Sequence, residues 1–198
     1  LEDDLTSLPG DVPARIASVG GRYDAMDRDQ RWDRTAKAWS AMVGGEAERA
    51  ASARAAVQAA YDAGITDEFI PPTVIVGPDG APVGAIGDGD VLIMANYRSD
   101  RMRQLLAAFT EPAFDGFPRR MPADLHVVTM TEYREGQRAA VAFPRMDVAW
   151  PLARVVAEAG LRQFHTAETE KYAHVTWFLN GGREEPFPGE ARALVPSP

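Results

Sequence analysis

The chain has 198 residues, a formal net charge of −8 at pH 7 and a composition that is 45% hydrophobic and 25% charged, as in ordinary folded globular proteins. It contains no cysteine, which excludes disulfides, thiolate metal sites and cysteine nucleophiles, and fits a reducing compartment. The acidic charge disfavours nucleic acid and anionic membranes as partners, and no apolar run is long enough for a signal peptide or a transmembrane helix.

Apolar periodicity and turn residues give the predicted elements of the first half. They are a buried strand (15–19), a polar loop (22–31), two helices (32–43 and 46–63), an irregular loop (67–73) and two extended segments (73–76 and 81–86) around the turn Gly77-Pro78-Asp79-Gly80.

The second half continues the alternation of strands and helices. Its predicted elements are buried strands (91–95 and 125–130), a helix ending at Phe109, extended runs (139–143 and 164–166), a helix (150–159), a helix or strand (171–179) and an extended C-terminal segment (195–198). This order predicts an α/β fold with a mixed, largely parallel sheet flanked by helices. A change of composition near residues 144–151 marks the candidate domain boundary.

A candidate anion site follows the strand 91–95. Ser99 or Asp100 can cap the next helix, whose N-terminus favours an anion. Arg98 and Arg101 are three residues apart, so on a helical turn they project to one side and suit a phosphate or a carboxylate. The alternative is that both arginines pair with surface acids.

The loop 21–34 also follows a predicted strand, and it interleaves four arginines with aspartates and aromatic residues. Its arginines are either a self-neutralised solvated surface or a ligand site whose aspartates hold the guanidinium groups in place.

Lys171, one of only two lysines in the chain, lies between Glu168 and Glu170. An ammonium suits a single phosphoryl oxygen, and the alternative is an ordinary salt bridge with one of these acids.

Familiar metal and nucleotide motifs are missing from the sequence. His126, His165 and His174 do not have the close spacing of metal ligands, so we expect no metal site in this chain. There is no Walker loop, no G-x-G-x-x-G and no G-x-S-x-G.

Several strings, in this order and over nearly the whole chain, resemble the cofactor-independent (2,3-bisphosphoglycerate-independent) phosphoglycerate mutases. They are Gly21-Arg22-Tyr23, Ala25-Met26-Asp27-Arg28-Asp29, Arg31-Trp32-Asp33-Arg34, the segment 66–73, Asp88-Gly89-Asp90, the segment 98–101, Met130-Thr131-Glu132-Tyr133, the segment 167–176, Asn180-Gly181-Gly182 and the segment 184–190.

The resemblance implies an isomerase of glycolysis and gluconeogenesis that interconverts 3-phosphoglycerate and 2-phosphoglycerate through a phosphoserine intermediate. It implies that a serine in an alkaline-phosphatase-like domain, outside this chain, receives the phosphoryl group. It also implies two manganese or magnesium ions, neither of them bound by this chain. It also implies a small-molecule substrate, no nucleic-acid or membrane partner, a cytoplasmic location and a monomer.

By the same resemblance, Arg22, Arg28, Arg98 and Arg101 bind the substrate and Lys171 contacts the transferred phosphoryl group. Residues 1–146 correspond to part of a substrate-binding transferase domain, and 147–198 to a segment of the phosphatase-like metal domain. We infer in addition that Asp27, Asp29 and Asp100 orient the arginines.

The nucleophilic serine, the metal ligands, and the histidine and Asp-Arg pair that family members place upstream are missing from this chain. We therefore expect a central fragment that is inactive alone. Two alternatives remain: a stand-alone, non-catalytic module that binds phosphorylated metabolites, and a purely structural interaction domain.

Overall fold

The computed structural model describes residues 1–9, 14–144, 146 and 148–197. The chain divides into two compact units, Leu1–Pro144 and Arg145–Pro198. What the predicted domains 1–146 and 147–198 correspond to stays a prediction.

The described residues form eight strands and seven α-helices. The strands are β1 (Ser18–Val19), β2 (Glu48–Ala50), β3 (Thr73–Ile75), β4 (Val91–Met94), β5 (His126–Thr129), β6 (Ala140–Val141), β7 (Gln163–Glu168) and β8 (Glu190–Val195). The α-helices are α1 (Glu2–Thr6), α2 (Arg22–Ala25), α3 (Trp32–Met42), α4 (Ala53–Asp62), α5 (Ser99–Thr110), α6 (Leu152–Glu158) and α7 (Thr169–Ala173). A 3₁₀ turn covers Asp67–Phe69, and a π-helical turn, His174–Phe178, follows α7.

The strands pair mostly in parallel, which confirms the predicted fold class. In the first unit β2 is parallel to β3, and β4, β5 and β6 form a second, wholly parallel sheet. Strand β1 pairs with β3 in the antiparallel direction. The second unit holds the parallel pair β7–β8. Parallel neighbours need crossover connections, and helices supply those between β2 and β3, between β4 and β5 and between β7 and β8, whereas residues 130–139 join β5 to β6 without a helix.

Helices α3 and α5 form the main core of the first unit with β4 and β5. Leu106 and Phe109 of α5 are buried against Trp39 of α3 and Met94 of β4. The ring centroids of Trp39 and Phe109 are 6.1 Å apart. The 3.6-residue spacing of the apolar side chains predicts both helices, and the structure confirms them.

Two predicted elements of the first unit have different lengths or types in the structure. The predicted helix 46–63 is a strand followed by a helix, because β2 pairs with β3 and Ser52 then caps α4 by accepting a 3.0 Å hydrogen bond from the Ala55 N–H. The predicted strand 15–19 shortens to β1, which has only two residues that pair with β3. Both differences come from pairing with a strand that is distant in sequence.

Strand β4, predicted to be buried, is covered on one face only by the described residues of its unit. Met94 is 4% exposed, whereas Val91 and Ile93 are 63% and 58% exposed. Alternate residues of a strand point to opposite faces, so Val91 and Ile93 share the uncovered face.

The predicted helix or strand 171–179 is helical from residue 171 to residue 178, in α7 and the π-helical turn. Strand β8 (Glu190–Val195) was not predicted, because the sequence indicates an extended segment only at 195–198. The side chain of Glu190, at the start of β8, is fully buried. Its Oε2 accepts 2.9 Å hydrogen bonds from the Asn180 side chain and the Phe187 N–H. Arg192 donates to Oε1, and Nδ1 of His165 lies 3.4 Å from the same oxygen.

These contacts determine the charge state of Glu190. Burial raises the pKa of its carboxyl, but the hydrogen bonds from Phe187, Arg192 and Asn180 outweigh that effect and hold the pKa below the ordinary value of 4.5. The carboxylate is therefore ionised inside the fold and connects three segments of this unit.

Candidate functional site

Two backbone segments approach each other closely at Gly21, just before the arginine-rich residues 22–34. The N–H of Gly21 donates a 2.7 Å hydrogen bond to the carbonyl of Ile70. A Cβ on Gly21 would lie 2.2 Å from the Glu68 carbonyl oxygen, so only glycine fits there. The short helix α2 begins directly afterwards with Arg22, inside the stretch 22–31 that the sequence predicts to be a loop.

Asp27 organises the loop between α2 and α3, which we call the arginine loop (residues 26–31). Its buried carboxylate accepts hydrogen bonds from the N–H groups of Asp29 (3.0 Å) and Arg31 (2.9 Å). It also pairs with the guanidinium groups of Arg31 at 3.4 Å and Arg34 at 3.7 Å. Burial raises the pKa of Asp27, but the hydrogen bonds from Arg31, Asp29 and Gln104 outweigh it and the pKa lies below its usual range.

Asp100 joins arginines from two distant segments. Its carboxylate lies 3.3 Å from Nη1 of Arg28 in the arginine loop and 3.0 Å from Nε of Arg98, just before α5. Burial raises the pKa of Asp100, but hydrogen bonds from Arg98 and Arg28 outweigh it and lower the pKa below the ordinary value. The carboxylate is therefore charged at neutral pH, and it holds the two guanidinium groups close together.

The sequence predicts that Ser99 or Asp100 caps α5, and this prediction is wrong. The N-cap position is Arg98, and no side-chain hydrogen bond caps this end of the helix. The carboxylate contacts the arginines instead, and an acidic group in the first turn still suits the helix dipole.

Arg101 also contacts the arginine loop. Its Nη1 donates a 3.0 Å hydrogen bond to the backbone carbonyl of Met26. Arg28, Arg98 and Arg101 are therefore brought together at the N-terminal end of α5, and their binding of substrate stays a prediction. Asp100 orients arginines as we inferred, whereas Asp29 pairs with Arg31, which lies outside the predicted set.

The other two predicted site residues are Arg22 and Lys171. Arg22 pairs at 3.0 Å with Glu68 in the 3₁₀ turn, and both side chains are partly exposed. Lys171 is exposed on α7, directly after Glu170. Its role at the phosphoryl group stays a prediction.

A cavity of about 460 Å³ opens beside Arg28 and Asp100. Arg103 and Arg134, which the sequence analysis did not single out, line it together with Gln104. Nε of Arg103 donates a 2.7 Å hydrogen bond to the Tyr133 carbonyl, while Arg134 pairs with Glu111. The arginines of this lining suit an anion. The sequence feature that could have indicated the cavity is Gln104, a polar residue on an otherwise apolar face of α5.

The described part of the chain has no group of three or more histidine, cysteine or acidic side chains that could hold a metal ion. The donor set for the two implied ions is therefore not found among these residues. Within the same residues, no helix is both long and apolar enough to cross a membrane.

Comparison with known proteins identifies the family of this chain. The family described as BPG-independent PGAM N-terminus matches residues 2–135. The 2,3-bisphosphoglycerate-independent phosphoglycerate mutase of Chloroflexus aggregans is 54% identical over 92% of this chain, and that of Thermomicrobium roseum is 58% identical over 92%. The chain belongs to this mutase family.

The solved structure of Leishmania mexicana phosphoglycerate mutase at low cobalt concentration has the same fold, with a TM-score of 0.68 and 32% identity over 93% of this chain. This chain covers 35% of that structure, and 38% and 35% of the two bacterial mutases. The family match includes the four predicted arginines, and Lys171 lies beyond it.

Proposed function

We propose that this chain is the substrate-binding part of a longer phosphoglycerate mutase that interconverts 3-phosphoglycerate and 2-phosphoglycerate. The observation that carries the proposal is the junction at Asp100, where one carboxylate holds Arg28 and Arg98 from segments 70 residues apart in sequence. A substrate with a phosphate and a carboxylate needs several cations in fixed positions, and such preorganised arginines supply them.

In the proposed reaction, a serine in another part of the protein attacks the phosphorus, and the bond to the first hydroxyl oxygen of glycerate breaks. The serine loses its proton in this first transfer, and the glycerate oxygen takes one up. The glycerate then reorients, and its other hydroxyl loses its proton and attacks the phosphorus of the phosphoserine. The bond between phosphorus and the serine oxygen breaks, and the serine is protonated again. Arg22, Arg28, Arg98 and Arg101 hold the carboxylate and phosphate groups so that glycerate does not leave between the two transfers. Lys171 contacts a phosphoryl oxygen.

Two manganese or magnesium ions, as the resemblance implies, would bind outside the described residues and polarise the phosphoryl oxygens. No role of the arginines depends on them. We extend the proposal to a cytoplasmic, monomeric enzyme of glycolysis and gluconeogenesis with an alkaline-phosphatase-like second domain.

A coupled assay tests the proposal. The whole protein, given manganese, should convert 3-phosphoglycerate to 2-phosphoglycerate without added 2,3-bisphosphoglycerate, and the 198-residue chain alone should not. Turnover by the chain alone would contradict the division of roles proposed here. Calorimetry separates the alternatives, because a stand-alone anion-binding module binds 3-phosphoglycerate without turnover and a structural domain does not bind it.

Replacing Asp100 with asparagine should raise KM for 3-phosphoglycerate by about 3- to 10-fold, because Arg28 and Arg98 lose their shared counter-ion and must be ordered by the substrate. The expected change in kcat is smaller. Asp33→Asn is the matched control, because Asp33 is an exposed acid in the first turn of α3 with no comparable role. Equal effects of the two substitutions on KM would refute the role of Asp100.

A further inference from the structure

Gln104 is a polar residue in the buried part of α5. It is 7% exposed, and its helical neighbours Met102, Leu105 and Leu106 belong to the buried core. Burying a side-chain amide is unfavourable unless its donors and acceptors are satisfied. Its presence among apolar side chains therefore calls for specific partners.

Those partners connect three segments. The Oε1 atom of Gln104 accepts a 2.8 Å hydrogen bond from the N–H of Gln30, in the arginine loop. Its Nε2 donates a 3.0 Å hydrogen bond to the hydroxyl of Thr35, a buried residue of α3. The amide also donates to the Asp27 carboxylate, so it contacts the arginine loop at Gln30 and Asp27 and the helix behind it at Thr35.

The contact to the loop falls on an unusual backbone position. Gln30 has a φ of 59°, in the left-handed region that residues with a side chain rarely occupy. The Asp27 carboxylate accepts hydrogen bonds from the N–H groups of Asp29 and Arg31, the residues on either side of Gln30. The backbone that follows Arg28 is therefore held at three successive positions, by Asp27 at Asp29 and Arg31 and by Gln104 at Gln30.

We propose that Gln104 is a positioning residue for Arg28: its buried amide holds the left-handed backbone at Gln30 and thereby sets the direction in which the arginine loop presents the guanidinium group. This inference rests on the proposed function, because the consequence of a displaced Arg28 is weaker binding of phosphoglycerate. Gln104 itself acts through the loop and contributes no group to the chemistry.

Two substitutions in the whole protein separate positioning from stability. Gln104→Met keeps the volume but removes every hydrogen bond of the amide, so we expect KM for 3-phosphoglycerate to rise about tenfold with kcat changed less than about twofold. Thr35→Val removes only the contact to α3. It should lower Tm while KM stays within about twofold of the wild type.

Hydrogen exchange at the Gln30 amide gives a readout that does not depend on turnover. Exchange should be faster in Gln104→Met than in the wild type and unchanged in Thr35→Val. If Gln104→Met does not fold, Gln104→Asn, which keeps an amide but shortens its reach, carries the same expectations. An unchanged KM in the Gln104 variants, or an equal rise in Thr35→Val, would overturn the inference. Absence of mutase activity in the wild type would instead refute the proposed function, while the exchange result still tests the contact.

Discussion

Replacing Arg101 with methionine is expected to lower kcat/KM of the whole protein for 3-phosphoglycerate by about 100-fold. An arginine that donates two charge-assisted hydrogen bonds to an anion contributes roughly 3 kcal/mol, which corresponds to about two powers of ten. Arg101 also donates to the carbonyl of Met26, so the substitution releases one attachment of the arginine loop. Charge reversal to glutamate should damage substrate binding further.

Two further substitutions test whether the loss comes from the guanidinium group at this position. Arg101→Lys keeps the positive charge but lacks the planar pair of donors, so we expect only partial recovery. Arg49→Met is the control, because Arg49 is an exposed arginine of β2 that donates to the Gly80 carbonyl. Unchanged kinetics in Arg101→Met would remove Arg101 from the site.

The second large effect concerns stability. Glu190→Gln should destabilise the unit Arg145–Pro198 by about 2–4 kcal/mol, because it removes the buried charge that neutralises Arg192 and accepts several hydrogen bonds. Urea unfolding, together with hydrogen exchange of the β7 and β8 amides, measures the loss. Glu185→Gln is the matched control, since Glu185 pairs with Arg183 but its side chain is 84% exposed. We expect less than about 0.5 kcal/mol there.

The loss should depend on pH in a defined direction. Because the pKa of Glu190 is lowered in the folded protein, its carboxylate stabilises the fold above the ordinary pKa of 4.5, and this contribution falls as the pH drops through the folded value. The stability difference between wild type and Glu190→Gln should therefore be full near pH 7 and shrink as the pH drops below about 4.5. A difference that grows on acidification would contradict this account.

Local sequence patterns predicted the helices better than the short strands. The apolar periodicity of α3 and α5 coincides with the faces that they bury. Strand β2 consists of Glu48, Arg49 and Ala50, which favour a helix, and it forms because β3 lies beside it. Such pairing across 25 residues leaves no local signal.

The candidate site was predictable in its residue types and only partly in its contacts. The motif resemblance selected Arg28, Arg98 and Arg101, and the structure places them around the start of α5. That Asp100 pairs with Arg28, 72 residues away, depends on how the loop folds onto the helix. The contact between Gln104 and the Gln30 backbone depends on the same packing, so spacing along the sequence does not indicate it.

The most direct test of the central claim is a crystal structure of the whole protein with 3-phosphoglycerate bound. We predict that Arg22, Arg28, Arg98 and Arg101 lie within hydrogen-bonding distance of the phosphate or carboxylate oxygens, with Lys171 at the phosphoryl group. A ligand bound elsewhere, with these five side chains making no contact to it, would contradict the account.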